Sequence, residues 1–210
     1  MTGLATGLLV VFAVAAVADW FAEGAGQERV RYLTKPAALA ALLGVALALD
    51  PASPTVRAWF VVALAFSLAG DVFLMLPSDR FVAGLAAFLA AHLAYIGGLL
   101  ADGVSAGWLA AGLAVVAVAV VAIGRPLLAG VRRTATEMTV PVTAYMAVIS
   151  AMVVCAIGTG DGLAIAGAAL FYASDALIGI SRFVRSTPWA PVAIMVTYHV
   201  GQCLLVLSLL

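Results

Sequence analysis

Charged residues are scarce in this chain of 210 residues: Asp, Glu, Lys and Arg make up 10% of it, whereas 66% of its residues are hydrophobic. So little charge cannot cover the surface of a water-soluble domain, and no segment is left over to form one. The 10 basic residues are not clustered densely enough to indicate a nucleic-acid partner. The composition therefore predicts a protein surrounded mostly by lipid.

Cysteine and the familiar catalytic motifs are also scarce. Cys155 and Cys203 lie in separate apolar runs without neighbours at metal-ligand spacing, so we expect two small core residues and no disulfide. The motifs HExxH, CxxC and GxSxG are absent, and so is a phosphate-binding glycine loop. The sequence thus predicts no cofactor and gives no support for a metal site.

Long apolar runs separated by short polar breaks fill the chain from end to end. A helix that crosses the hydrocarbon core needs roughly 20 mostly apolar residues. The pattern predicts an all-α polytopic membrane bundle of about eight transmembrane helices, forming a single domain over residues 1–210. The predicted spans are Gly3–Trp20, Pro36–Leu49, Thr55–Leu76, Arg80–Ala101, Val104–Ile123, Glu137–Ile157, Gly162–Phe183 and Trp189–Leu209.

The basic residues predict how this bundle is oriented. Nine of the 10 fall in the loops after the first, third, fifth and seventh spans, and only Arg57 falls on the opposite side. Lys and Arg accumulate in cytoplasmic loops, so we expect both termini to be extracytoplasmic. Ala16-Val17-Ala18 is similar to a signal-peptide cleavage site, but no basic residue precedes the first span, so we expect that span to be retained. The abundance of Ala, Val and Arg, with one Lys, indicates a bacterial inner membrane.

The chain also has features of two copies of one four-helix unit, residues 1–103 and 104–210. Asp71 and Asp175 each follow a small residue in the third helix of their half, and they are 104 positions apart. Similar offsets separate the prolines that open the second helices and the histidines of the fourth helices: Pro36 from Pro141, and His92 from His199. The halves would be parallel repeats related by an axis along the membrane normal, with a functional centre at their interface.

Asp71 and Asp175 are the best candidates for catalytic groups. An ionised aspartate in hydrocarbon costs about 2.5 to 3.5 kcal/mol, so each must be paired, protonated or turned inward. Both fall in the cytoplasmic half of spans that run in the same direction, where they could share one cavity. Alternatively, each could simply hydrogen-bond a neighbouring helix. A carboxyl pair suits general acid and base catalysis if one member is protonated and the other ionised, and the sequence does not decide which.

Several polar side chains lie at helical spacing on the faces expected to surround the two aspartates. Most of them could equally be hydrogen-bond partners between helices. Lys35 and Glu137 fall at cytoplasmic ends of predicted helices, where a long side chain can reach water, and Lys35 could hold a lipid phosphate. The candidate substrate-binding or supporting residues are Lys35, Ser67, His92, Tyr95, Glu137, Tyr145, Ser174, Tyr198 and Gln202.

A series of short segments follows in a specific order along nearly the whole chain. They are Lys35-Pro36, Phe66 to Asp71, Phe81, Gly84, Phe88, His92, Tyr95, Tyr145, Met152, Phe171 to Asp175, Thr197-Tyr198 and Gln202. In this order they resemble the YhhN-like family of membrane proteins, which includes the animal lysoplasmalogenases. His199 departs from the pattern, because the family is expected to carry an aromatic residue there more often.

The resemblance implies hydrolysis of the vinyl ether bond of a lysoplasmalogen, or of a related ether lysolipid, to a fatty aldehyde and glycerophospho-ethanolamine or glycerophospho-choline. The implied partners are this lysophospholipid and the bilayer. One of Asp71 and Asp175 would protonate the vinyl group, while the other would stabilise the resulting cation and take a proton from water.

Three other functions stay open at this point. The main alternative is a small proton-coupled transporter that uses the same two aspartates, because parallel repeats and intramembrane carboxylates also occur in transporters. An intramembrane aspartyl protease is disfavoured, since Leu68 replaces the first glycine of the Gly-x-Gly-Asp motif and no Pro-Ala-Leu motif follows. The third is a structural membrane protein. The sequence does not predict the oligomeric state.

Overall fold

The computed structural model describes all 210 residues and is helical throughout, without strands. Eight helices are long and apolar enough to cross a membrane. We number them α1 Gly3–Gly24, α2 Glu28–Ala48, α3 Pro54–Met75, α4 Phe81–Asp102, α5 Ala106–Thr134, α6 Thr136–Thr159, α7 Gly162–Phe183 and α8 Ala190–Leu207. The predicted all-α bundle of eight spanning helices is confirmed, and the chain is a multi-pass membrane protein.

Side-chain caps fix the beginnings of the odd-numbered helices. Thr2, Ser53, Ser105 and Asp161 each accept a hydrogen bond from the backbone N–H three residues later. Such a cap satisfies a backbone donor that has no partner inside the helix. Because odd-numbered helices all run in one direction, the four caps lie at one end of the bundle, opposite the loops that carry most of the basic residues.

The predicted start of α2 at Pro36 was wrong. The helix begins at Glu28, and Pro36 lies in its interior. The sequence predicts a loop for the polar segment before Pro36. This segment is instead helical, because its side chains bind residues of α1. Arg31 forms an ion pair with Glu23, and the Thr34 hydroxyl donates to the carboxylate of Asp19 at 2.9 Å. Pro36 therefore does not match Pro141 in its position along the helix, and the internal repeat stays a prediction.

The predicted end of the fifth span at Ile123 was also wrong. The helix passes through a π-helical turn at Val120–Gly124 and continues to Thr134. Pro126 follows this turn and lacks a backbone N–H for the hydrogen bond of a regular α-helix. A π-turn shifts the hydrogen-bond register by one residue and so accommodates the proline.

Helix pairing brings the two halves of the chain together around one core. Consecutive helices pack in the pairs α1 with α2, α3 with α4, α5 with α6 and α7 with α8. Between the halves, α4 packs against α6, and α8 packs against α1 and α2. Aromatic rings fill the centre where these contacts meet, among them the fully buried Phe60, Tyr95 and Phe171. The third helix of each half, α3 and α7, presents its aspartate to this centre.

Candidate functional site

Asp71 is held in a buried ion pair. Its carboxylate lies 2.9 Å from the ammonium of Lys35 on α2, and its other oxygen accepts a hydrogen bond of 2.8 Å from the hydroxyl of Tyr198 on α8. The side chains of Asp71 and Lys35 are 1% and 5% exposed. The interpretation of Lys35 as a helix-end residue reaching water was wrong, because α2 begins at Glu28 and so places Lys35 inside the bundle. A buried carboxylate with a cation and a hydroxyl donor is well accommodated as an anion.

Asp175 has quite different partners. The hydroxyl of Tyr145 on α6 donates to its carboxyl group, and Nε2 of His92 on α4 lies 3.6 Å from the same oxygen. Nδ1 of His92 is 2.5 Å from the carbonyl oxygen of Phe88. A ring nitrogen so close to a carbonyl carries a proton, which leaves Nε2 of a neutral imidazole with a lone pair. At 3.6 Å the Asp175 oxygen is slightly too far from Nε2 for a hydrogen bond, and Nε2 is buried without another protein partner.

The two aspartates are held by equivalent helices. Asp71 is bound by the second helix of its own half and the fourth helix of the other half, and so is Asp175. A hydrogen bond from the Tyr95 hydroxyl on α4 to the amide oxygen of Gln202 on α8 joins the two fourth helices directly. The site therefore lies at the interface between the halves.

Aromatic rings pack against the partners of both carboxyl groups. The centre of the Phe171 ring lies 4.7 Å from the ring centre of His92 and 5.4 Å from that of Tyr198, so Phe171 contacts one partner of each aspartate. Phe88 belongs to the same group of rings, and its centre lies 5.8 Å from the ring centre of Tyr198 and 6.2 Å from that of Phe171. No hydrogen bond joins Asp71 to Asp175. They belong to two adjoining clusters rather than to one pair that shares a proton.

Asp175 lines a narrow apolar cleft, with a free volume of about 60 Å³, between α3, α4, α5, α6 and α7. Fourteen of the 16 residues around this cleft are hydrophobic, and Asp175 is the only acidic or basic one. Phe81, Leu127 and Phe183 form the part of the wall towards the basic loops. Such a cleft suits a hydrocarbon chain and brings it to a carboxyl group.

A second cavity, of about 410 Å³, lies beside the ion pair of Asp71 and is polar. It is lined by Glu28, Arg31, Tyr32, Lys35, Leu74, Met75 and Pro77. Leu74 also lines the apolar cleft, so its side chain stands between the two spaces. Both spaces lie towards the end of the bundle that carries the basic loops.

Three of the predicted residues lie apart from the carboxyl groups or serve them indirectly. Glu137 is exposed in the 3₁₀ turn Thr136–Met138 that begins α6, and it forms no ion pair. The Ser174 hydroxyl donates to the carbonyl of Ile194 at 3.1 Å, which fastens α7 to α8. Ser67 is buried one helical turn from Asp71, and its hydroxyl contacts no protein partner.

Sequence reasoning missed Asp19, which is fully buried on α1. Its Oδ1 accepts from Thr34, and its Oδ2 is buried without a protein partner. The first span was predicted to end at Trp20, which placed Asp19 at a helix end. The apolar residues Phe21 and Ala22 that follow were the available signal that the helix continues to Gly24.

His199 serves the packing of α8 against α1. Its Nδ1 accepts a hydrogen bond of 3.0 Å from the indole N–H of Trp20, and its ring also lies 6.2 Å from Phe12.

Comparisons with known proteins agree with one another. The YhhN family model matches residues 30–209. The lysoplasmalogenase of Mycobacterium tuberculosis is 36% identical over 177 residues, which cover 80% of this chain and 66% of that protein. Lysoplasmalogenase TMEM86B of Homo sapiens is 36% identical over 148 residues, which cover 70% of this chain and 62% of that protein. The chain thus spans about two thirds of the length of these curated relatives, or slightly less. No solved structure matches.

Proposed function

Because this chain belongs to the YhhN family, we propose that it is a membrane hydrolase that cleaves the vinyl ether bond of a lysoplasmalogen or a related ether lysolipid. The products are a fatty aldehyde and glycerophospho-ethanolamine or glycerophospho-choline. Support comes from relatives that carry the name lysoplasmalogenase. The structural observation that carries the proposal is the position of Asp175, the only acidic group on the wall of an apolar cleft.

The chemistry of a vinyl ether requires a proton donor beside a hydrocarbon chain. Addition of a proton to the outer vinyl carbon breaks the carbon–carbon double bond and leaves an oxocarbenium ion. Water adds to the carbon next to the ether oxygen and loses one proton, which gives a hemiacetal. The hemiacetal hydroxyl then loses its proton, the bond to the glycerol oxygen breaks, and that oxygen takes up a proton. The net reaction consumes one water molecule and returns the catalytic proton.

Asp175 is the proton donor in this proposal. A carboxylate without a cation on an apolar wall is expensive, so the group is more stable as the neutral acid. His92 favours the neutral acid, because its unprotonated Nε2 lies 3.6 Å from the carboxyl oxygen. The hydroxyl of Tyr145 holds the carboxyl group in place from α6. A lipid chain bound in the cleft therefore lies beside the acid, and the proton reaches it without passing through water.

Asp71 is the anion of the resting protein in this proposal. The ammonium of Lys35 at 2.9 Å keeps it ionised, and Tyr198 fixes its second oxygen. A fixed negative charge near the developing oxocarbenium ion stabilises the transition state more than the neutral substrate. The same carboxylate accepts the proton that the attacking water loses and then releases it to solvent, while Asp175 regains a proton from solvent before the next turnover.

The proposal is tested by incubating the detergent-purified chain with lysoplasmenylethanolamine in deuterated water and analysing the products by mass spectrometry. We expect a fatty aldehyde with one deuterium on the carbon next to the carbonyl, since that carbon receives the proton. The saturated ether analogue, which lacks the vinyl group, should stay intact. Uptake of the unchanged lipid by sealed vesicles, without any aldehyde, would instead favour a transporter.

We also propose that the protein resides in a bacterial inner membrane with both termini outside the cytoplasm, so that the two cavities face the cytoplasmic half of the bilayer. The support is the distribution of basic residues, nine of which lie towards the end of the bundle where odd-numbered helices end and even-numbered helices begin, and only Arg57 towards the other end. A reporter enzyme that is active only in the periplasm, fused after Leu210, should be active. A silent periplasmic reporter together with an active cytoplasmic one at Leu210 would reverse the orientation.

A further inference from the structure

Leu74 is the boundary between the apolar cleft and the polar cavity. Its side chain is lodged against α4 at Gly84, where a methyl group would come within 2.5 Å of the Leu74 Cδ2 atom. The glycine thus leaves just enough room for this leucine. Leu74 also follows Asp71 by three residues, so the two side chains lie on the same face of α3. The partition between the two spaces therefore adjoins the buried ion pair.

The apolar cleft is narrow. Its free volume is about 60 Å³, so it admits a slender group rather than a bulky one. Its wall offers a ligand only two tyrosine hydroxyls and the Asp175 carboxyl as polar groups. A hydrocarbon chain is the occupant that such a wall stabilises best.

The polar cavity offers groups of both charges. Lys35, which is paired with Asp71, and Arg31, which is paired with Glu23 but has a buried Nε without a partner, supply cations. Glu28 supplies a carboxylate, and Tyr32 supplies an aromatic ring. A phosphate is attracted to the guanidinium and ammonium groups. An amine or a quaternary ammonium group is attracted to the carboxylate and to the face of the aromatic ring. The cavity therefore matches a zwitterionic head group in which a phosphate and a cationic nitrogen are linked.

We propose that a single-chain lysolipid lies across Leu74, with its hydrocarbon chain in the apolar cleft and a zwitterionic phospho-amine head group in the polar cavity. This inference rests on the proposed function and names how its substrate is held. The linkage between chain and glycerol then lies beside Leu74, between the ion pair of Asp71 on one side and Asp175 on the other. Leu74 is a positioning residue, and Glu28 determines which head group is accepted.

Head-group recognition is tested by titration calorimetry on the full chain in detergent, with saturated ether lysolipids that cannot be hydrolysed. The probes carry the same chain and phosphoethanolamine, phosphocholine or phosphoglycerol, the last of which has no amine. We expect Glu28→Gln to weaken binding of the two amine-bearing lipids about tenfold and to leave phosphoglycerol binding within twofold of the wild type. The control Asp79→Asn removes one exposed carboxylate from the same end of the bundle and should leave all three affinities within twofold. Equal changes for all three lipids, or no change, would overturn the assignment of Glu28.

Binding across Leu74 is tested with whole and divided ligands. We expect Leu74→Phe to weaken binding of the whole lysolipid at least tenfold. Glycerophosphoethanolamine and a 1-O-alkylglycerol, which need one cavity each, should bind within twofold of their wild-type affinities. Leu93→Phe, the same change at an exposed position of α4, is the control and should alter none of them. Leu74→Ala, which opens the partition without filling either space, should bind the whole lysolipid within threefold of the wild type. Weaker binding of the divided ligands in both Leu74 variants would contradict the inference.

The outcomes separate this inference from the proposed function. If the binding pattern holds but no lysoplasmalogen yields aldehyde, the lysolipid site stands and the hydrolase proposal fails. If aldehyde is released and the binding pattern is absent, the hydrolase proposal stands and the position of the substrate across Leu74 is wrong.

Discussion

Replacing Asp175 with asparagine should lower the rate of aldehyde release from a lysoplasmalogen by about a thousandfold, because an amide cannot supply the proton that general acid catalysis requires. Asparagine has nearly the same size, and its carbonyl oxygen can still accept the hydrogen bond from Tyr145. The fold and the cleft should therefore be preserved. Initial rates at saturating substrate in detergent measure the effect, and the affinity for the saturated ether analogue should stay within about threefold of the wild type.

Asp102→Asn is the matched control for this variant. It makes the same chemical change at an exposed position at the end of α4, far along the helix from His92. We expect it to retain at least half of the wild-type rate. If Asp175→Asn kept a rate within tenfold of the wild type, Asp175 would not be the proton donor, although the family and the fold would be unaffected.

Replacing Lys35 with methionine should destabilise the protein by about 3 to 5 kcal/mol, because it leaves the buried carboxylate of Asp71 without its cation. Asp71→Asn should be destabilising for the opposite reason, since it leaves a buried ammonium without an anion. The double variant, which removes both charges, should regain most of the lost stability but none of the lost activity. Denaturant unfolding in detergent micelles measures the free energies, and the aldehyde assay measures the activity.

Asp79→Asn is the control for the buried pair. Asp79 forms an ion pair of 2.9 Å with Arg182, but the two side chains are 69% and 41% exposed. Exposed pairs of this kind contribute about 0 to 1 kcal/mol, so the variant should unfold almost like the wild type. If the Lys35→Met variant were as stable as Asp79→Asn, Lys35 would not be the counter-ion that Asp71 requires.

Hydropathy alone was enough to predict the number of helices and their order, because each apolar run is long enough to cross a bilayer. The order of short segments from Lys35-Pro36 to Gln202 was enough for the family, and the match to the YhhN family over residues 30–209 confirms it. Both features can be recognised from short segments of the sequence. They require no knowledge of which helices are neighbours.

Helix ends could not be predicted from hydropathy where polar residues have partners on another helix. The first turns of α2 are polar, and they stay helical because Arg31 binds Glu23 and Thr34 binds Asp19 on α1. The same contacts bury Lys35 well inside the helix. Its role as the counter-ion of Asp71, in place of an exposed helix-end residue, follows from this extension.

The partners of the two aspartates also lay beyond sequence reasoning. Helical spacing tells which residues share a face, so it placed Ser67 beside Asp71 and Tyr95 beside His92. It does not tell which faces of different helices meet. Tyr198 reaches Asp71 across 127 positions, and His92 approaches Asp175 from the other half of the chain. These contacts assign different chemistry to two residues that look equivalent in the sequence.

In the resting protein, we propose, Asp175 carries a proton and Asp71 does not. Infrared difference spectroscopy of the detergent-solubilised chain against its variants measures this directly, through the carbonyl stretch that a protonated carboxyl group has and a carboxylate lacks. We expect that one such band, shifted by deuterated water, disappears in Asp175→Asn and persists in Asp71→Asn. A band that disappears in Asp71→Asn and persists in Asp175→Asn, or a wild-type spectrum without any protonated carboxyl band, would contradict the account.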